Sequence, residues 1–229
     1  MSAKPHFNLP GLAQLIIQKA NSSGPCFFVD KDYQQYLHEL QNRAADYNCH
    51  IHAYLLLPDQ IQILATPYAD NGIYSMMQTL SRHYLAYINK TYGNSDTLWQ
   101  GDYQSCLIDS EQWLISCMHY IEQNPALTNM HMQAGDYAWS SYHRNALNIT
   151  DTVIKPHPLY TALANTDKGR GQVYTSLFQP QLSGEIVQTI RDTLKQQQIL
   201  GRASFKAKIK EITSKEKAKE GGWDCAMFY

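Results

Sequence analysis

Gln60 and Gln62 stand two residues apart in Ile51–Thr66, IHAYLLLPDQIQILAT. Two apolar runs flank Pro58-Asp59, which is the pattern of a β-hairpin. Strand alternation then puts Gln60, Gln62 and Leu64 on one face, with Ile61 and Ile63 on the other. Two long polar side chains so spaced converge on one point above a sheet, the geometry of a two-ligand metal site. Here the donors are amides, which are neutral and weaker than imidazole for transition metals. Asp59 points the other way. A second pair, Tyr120 and Asn124, is four residues apart and shares one face of a helix. Tyr120 falls at the edge of that helix's apolar stripe, either packed beneath the sheet or presenting its hydroxyl at the sheet surface. A free phenol has a pKa of about 10 and needs activation to act as a nucleophile. His50 and His52, on the strand before the turn, also share a face and are a conceivable metal pair. Ordinary hydrogen bonding at a strand start is the commoner role for such histidines.

The elements that must position these groups follow from periodicity. Ala13–Ala20 reads as a first strand and Asn21–Pro25 as a loop. Asp30 is a candidate N-cap for a helix from Lys31 to Tyr47, with Tyr33, Tyr36, Leu37, Leu40 and Ala44 at helical spacing. After the hairpin and the Asn71-Gly72 break, Ile73, Met76, Met77, Leu80, Tyr84 and Ile88 mark an amphipathic helix to Tyr92, with Arg82 and Lys90 on its polar side. Tyr103–Ile108 is a fourth strand. Asp109 or Ser110 caps a helix with Trp113, Leu114, Cys117 and Ile121 along its stripe, ending at Pro125. The order β-α-β-β-α-β-α begins as a ferredoxin-like split β-α-β fold, an α+β class with an antiparallel sheet and two helices on one face. The other face is left for a ligand, and the seventh element could cover part of it. The expected organisation is a ferredoxin-fold domain over 1–145, then a helical extension over 146–229. The extension carries helical patterns at Glu185–Gln198 and Arg202–Thr213, and Gly221–Tyr229 is a loose end.

The chain has 229 residues with 44% hydrophobic content, ordinary for a soluble globular protein. No apolar run is long enough for a membrane span, and the first residues lack a signal-peptide pattern. Five scattered cysteines without a C-x-x-C suit a reduced, cytoplasmic interior and argue against a zinc ribbon or disulfide framework. The net charge is −1, but Arg202–Tyr229 holds seven Lys/Arg against four acids, a net of +3 that leaves −4 for the rest. Such a tail could touch phosphate through Lys206 and Lys208, or be a solvated helix face. Sixteen tyrosines suit wet interfaces and base stacking alike. Nucleotide-binding loops and the H-E-x-x-H zinc motif are absent from the sequence.

Four phrases in order, LWQGDYQS (98–105), MHYIEQNP (118–125), DYAWSSYH (136–143) and HPLYTALA (157–164), resemble the REP-associated tyrosine transposases, of the single-tyrosine HUH (histidine–hydrophobic–histidine) group. The resemblance covers about Gly24 to Ile212. It implies the ferredoxin-like fold and a nucleophilic tyrosine at Tyr120. That tyrosine would attack a phosphodiester of single-stranded DNA beside a hairpin, leaving a 5′-phosphotyrosine link. It further implies a divalent metal, Mg²⁺ or Mn²⁺, held by the two strand histidines and by an amide, here Asn124. A metal so placed polarises the scissile phosphate. DNA contacts are expected from Arg82, Lys90, Trp99, Lys206 and Lys208, and a homodimer is compatible with the family.

The sequence departs from its relatives at the decisive positions. The two histidine positions are Gln60 and Gln62, and three amides without a carboxylate make a poor cage for a metal. Asp102 and Gln104 replace residues that are usually basic, which weakens phosphate binding. The favoured expectation is a DNA-binding protein whose tyrosine chemistry is impaired or lost. An active nicking and joining enzyme is the alternative, and a protein-interaction module on a dead transposase scaffold is the third. If the metal is lost, Gln60 and Gln62 reduce to solvent-facing strand residues.

Overall fold

The computed structural model describes residues 9–21, 24–93, 97–127, 133–178 and 181–220. The elements run β1 (Gln14–Lys19), α1 (Asp30–Asp46), β2 (Cys49–Leu57), β3 (Gln60–Pro67), α2 (Gly72–Tyr92), β4 (Gln104–Ile108) and α3 (Ser110–Leu127), the order expected from periodicity. They continue with α4 (Tyr142–Asn145), α5 (Pro158–Thr161), α6 (Asp167–Ser176), α7 (Gly184–Gln196), β5 (Ile199–Leu200) and α8 (Ala203–Glu220). The short helices α4 to α6 and the strand β5 had no clear periodic signal. Gly221–Tyr229 lies outside the described residues.

The sheet has the order β2-β3-β1-β4-β5. Its first four strands are antiparallel, as in a ferredoxin-like sheet, and β5 adds in parallel to β4. Strand alternation divides two cores. Ile16, Tyr54, Leu56, Ile61 and Ile63 face α1 and α2, whose Tyr36, Leu40, Met76, Leu80 and Tyr84 cover them. Leu15, Ile17, Leu55, Leu64 and Cys106 face the other way, under Leu114, Cys117, Tyr120 and Ile121 of α3 and Val187, Ile190 and Leu194 of α7. The extension after residue 145 therefore shares a core with the sheet. The outer edge of β2 is covered as well. Leu56 N–H donates to Trp139 O at 3.0 Å, and Ser141 N–H donates to Tyr54 O at 3.0 Å, so the edge offers few unpaired groups.

Three local expectations differ from the structure. Helix α3 runs through Pro125 to Leu127 instead of stopping before the proline. Every residue from Cys117 to Asn124 is buried, and packing on all sides holds the helix through one lost backbone bond in its last turns. At the start of α1 the N-cap is Val29, not Asp30. The capping carboxylate is Asp32, which accepts from Phe28 N–H at 2.8 Å and Val29 N–H at 3.1 Å, bringing negative charge to the helix start. Asp109 does not cap α3 with its side chain. Its buried carboxylate pairs with Arg202 Nε at 2.7 Å instead.

Candidate functional site

The second face of the sheet carries the site, and the strand register builds its floor. Lys19 lies opposite Gln60, and Ile17 lies opposite Gln62 on one side and Gln104 on the other. Opposed side chains on one face stand about 4.5–5.5 Å apart at Cβ, so three glutamines and a lysine form one patch around Ile17. Helix α3 hangs Tyr120 and Asn124 above this patch. Helix α7 adds Arg191 and Lys195, four residues apart and so on one face. All of these groups line one cavity of about 530 Å³. The arrangement expected from the sequence, two strand glutamines facing a helical tyrosine and asparagine, is thus brought together.

The interior of the site is not what solvent-facing glutamines would give. Gln62 is 1% exposed and its Oε1 has no hydrogen-bond partner. Gln60 is half-buried. Tyr120 is 3% exposed, packs in the second core and lines the cavity. Burial pushes the Tyr120 phenol up from its ordinary value, while the positive charge of the nearby Arg191 guanidinium works to pull it down. Lys19, Arg191 and Lys195 are exposed, and among the described residues no carboxylate lies within ion-pair distance of them. Asp102 stands at the rim, lining with Lys19, Gln100 and Gln104 an adjoining recess of about 280 Å³.

The expected metal ligands fit a divalent ion poorly. Gln60, Gln62 and Asn124 offer neutral oxygens, and three cations surround them, whereas hard cations are held by carboxylates. Among the described residues no group of three His, Cys, Asp or Glu could hold a metal ion. His50 and His52 are not a substitute pair. The β2–β3 register shifts between Ile51 and Ala53, which sets His52 at a bulge. Both ring nitrogens of His52 are engaged, Nδ1 with Lys155 O at 2.7 Å and Nε2 with Thr66 Oγ1 at 2.9 Å. Burial lowers its pKa to about 4, so it is a neutral structural imidazole.

The other expected DNA contacts scatter. Arg82 and Lys90 are exposed on α2, the helix layer across the sheet from the cavity. Lys206 and Lys208 are exposed on α8, and Lys208 lines a separate cavity of about 510 Å³ with Asp109, His157 and Arg202. Arg202 is engaged by both Asp109 and Glu111. Trp99 packs against Tyr36 and Tyr84. Its loop nevertheless reaches the site, because Gln100 N–H donates to Lys19 O at 3.0 Å.

Sequence reasoning missed two features. Arg191 and Lys195 reach Tyr120 across some seventy residues of chain, and only their i, i+4 spacing on an amphipathic helix hinted at a shared face. The second is Glu122, fully buried two residues from Tyr120. Its carboxylate accepts from Ser141 Oγ at 2.5 Å, Asn145 Nδ2 at 2.8 Å and the Tyr174 hydroxyl at 2.7 Å. Burial raises its pKa to about 7 against the pull of those three donors. This node locks the Tyr120 helix to the Trp139–Ser141 segment on the edge of β2.

Comparison with known proteins bears on the fold. Residues 24–124 match the model of the IS200-like transposase family. A REP-associated tyrosine transposase, solved bound to a REP hairpin, superposes with a TM-score of 0.56 at 18% identity, over 69% of this chain and 93% of that one. A candidate transposase from Deinococcus radiodurans gives a TM-score of 0.37 at 15% identity, over 50% and 93% of the two chains. The tRNA(His) guanylyltransferase of Saccharomyces cerevisiae gives 0.40 at 12%, over 80% and 82%. No curated protein matches the chain. The first comparison shows the REP-transposase fold.

Proposed function

We propose, from the premise that residues 24–124 match the IS200-like transposase family model, that this protein binds structured, hairpin-flanked single-stranded DNA and that its metal-dependent tyrosine cleavage is impaired or lost. The observation that carries the reading is the donor set around Tyr120, which has amides where a divalent cation needs charge and cations where it needs none. The hairpin bound by the structural relative supports a DNA partner of that shape. A place in the cytoplasm, beside the DNA, goes with this reading; among the described residues no helix is long and apolar enough to cross a membrane. The test is incubation with hairpin-flanked single-stranded DNA and Mg²⁺ or Mn²⁺. A retarded complex on a native gel and no covalent adduct on a denaturing gel is the expected result.

The retained Tyr120 and Asn124, side by side at the cavity, favour a second reading, an active strand transferase. A protein–DNA adduct that disappears in Tyr120→Phe would establish it and sink the first. Absence of any salt-dependent DNA binding would leave the protein-interaction module.

A further inference from the structure

Three positive side chains converge on the cavity where the family would place a metal. Lys19 comes from the register of β1 against Gln60. Arg191 and Lys195 come from α7, which Val187, Ile190 and Leu194 fix to the core. One acid, Asp102, stands at the rim, so the local balance remains positive. A cluster of unpaired cations in a concave, partly apolar wall focuses an attractive field for anions. Arg191 lines the cavity beside Tyr120, and its guanidinium fork offers several donors to an oxygen ligand. Gln62 is the independent sign of a ligand. It is 1% exposed, lines the cavity and has an Oε1 without a partner. Buried polar atoms of this kind are rare unless something external satisfies them. A volume of about 530 Å³ is in the usual range for small-ligand sites, enough for one nucleotide unit.

We infer that the Tyr120 cavity is a metal-independent phosphodiester site, in which Lys19, Arg191 and Lys195 hold a backbone phosphate of single-stranded DNA and Gln62 bonds to the adjoining sugar or base edge. The inference rests on the DNA-binding reading above and specifies where and how the backbone is held. It predicts that binding needs no divalent cation.

The experiment is titration of labelled hairpin-flanked single-stranded DNA into the full chain, with EDTA or with Mn²⁺, across a salt series. Wild type binds equally in both. Arg191→Gln/Lys195→Gln loses about tenfold or more in affinity near 0.1 M salt, and its log–log salt slope falls by about 1.4, near 0.7 per lost contact. Lys31→Gln/Lys168→Gln, which removes the same charge from exposed positions that do not line the cavity, changes neither by as much. Arg191→Lys recovers part of the loss, and unchanged thermal melting shows that the variants fold. Loss of binding in EDTA overturns the inference, because the site then needs a metal. So does full binding by Arg191→Gln/Lys195→Gln, which leaves the DNA-binding reading standing at another surface. If wild type binds no DNA, that reading falls, and inorganic pyrophosphate decides the inference. Thermal stabilisation of wild type that is absent in the double variant upholds an anion site; equal stabilisation, or none, overturns it.

Discussion

Glu122 and Gln62 are both buried polar side chains in the layer beneath α3, and they are built in opposite ways. Glu122 is closed: three donors from two segments, α4 with its N-cap Ser141 and α6, meet its two oxygens. Gln62 is open: its Oε1 faces a cavity without a partner. A closed polar node rigidifies and positions, whereas an open one is left for a ligand or is a cost without return. The same helix is thus anchored by one group and presents Tyr120 over the other.

The largest effect is expected at the closed node. Glu122→Ala leaves the buried Tyr174 hydroxyl without its acceptor, reduces Ser141 and Asn145 to their remaining bonds to Tyr54 O and His52 O, and opens a cavity in the core, so it should cost about 3 kcal/mol or more. A fall in the urea midpoint at unchanged slope measures it. A loss under 1 kcal/mol would show that the node does not anchor α3.

Glu122→Gln tests the charge alone. The folded-state pKa of Glu122 is raised from 4.5 to about 7, so the folded protein holds an extra proton in that window. Its contribution therefore falls as pH rises from about 4.5 to 7, by roughly 3 kcal/mol in total. His52 and His119, each lowered by burial to about 4, act with the opposite sign. Their imidazoles are neutral in the fold and protonated in the unfolded chain, so stability rises with pH between about 4 and 6.5. Removing the carboxylate should leave the histidines unopposed. Relative to wild type, the Gln variant should gain stability progressively from pH 4.5 to 7 in urea melts. Parallel pH curves for the two proteins would refute the assignment.

Gly171→Ala reaches the node indirectly. A Cβ on Gly171 would stand 2.6 Å from Ala146 O and 2.5 Å from Asn148 Nδ2, so α6 must shift, and with it Tyr174, the third donor to Glu122. Overpacking of this kind costs about 1–3 kcal/mol. The Glu122→Gln background should reduce that cost if the two are coupled, which a double-mutant cycle reads directly.

The halves of the contrast differed in legibility. Alternation in QIQIL placed Gln60 and Gln62 on one face, and i, i+4 spacing placed Tyr120 with Asn124, because both rules are local. The split β-α-β order followed from periods of 2 and 3.6 alone. Glu122 was invisible for a physical reason: a lone acid beside Ile121 reads as solvent face unless its partners are known, and these lie at Ser141, Asn145 and Tyr174. Arg191 and Lys195 were hidden in the same way, since only tertiary packing of α7 on the sheet carries them to Tyr120. Pro125 misled because a local rule met a helix buried on all sides.

The smallest effect is expected at the open node, and it discriminates most. Gln62 lies opposite Leu55 and Ile17, so a leucine there would meet apolar neighbours of the second core. Gln62→Leu deletes the unpartnered oxygen at similar volume. Replacing an unsatisfied buried polar group by an apolar one of like shape is near neutral or stabilising. Stability should therefore stay within about 1 kcal/mol of wild type or rise, while affinity for hairpin-flanked single-stranded DNA falls. Opposite signs for stability and binding are what a group retained for a ligand gives. A loss of 2 kcal/mol or more with unaltered DNA binding would make Gln62 a structural residue like Glu122, and the contrast between the two nodes would disappear.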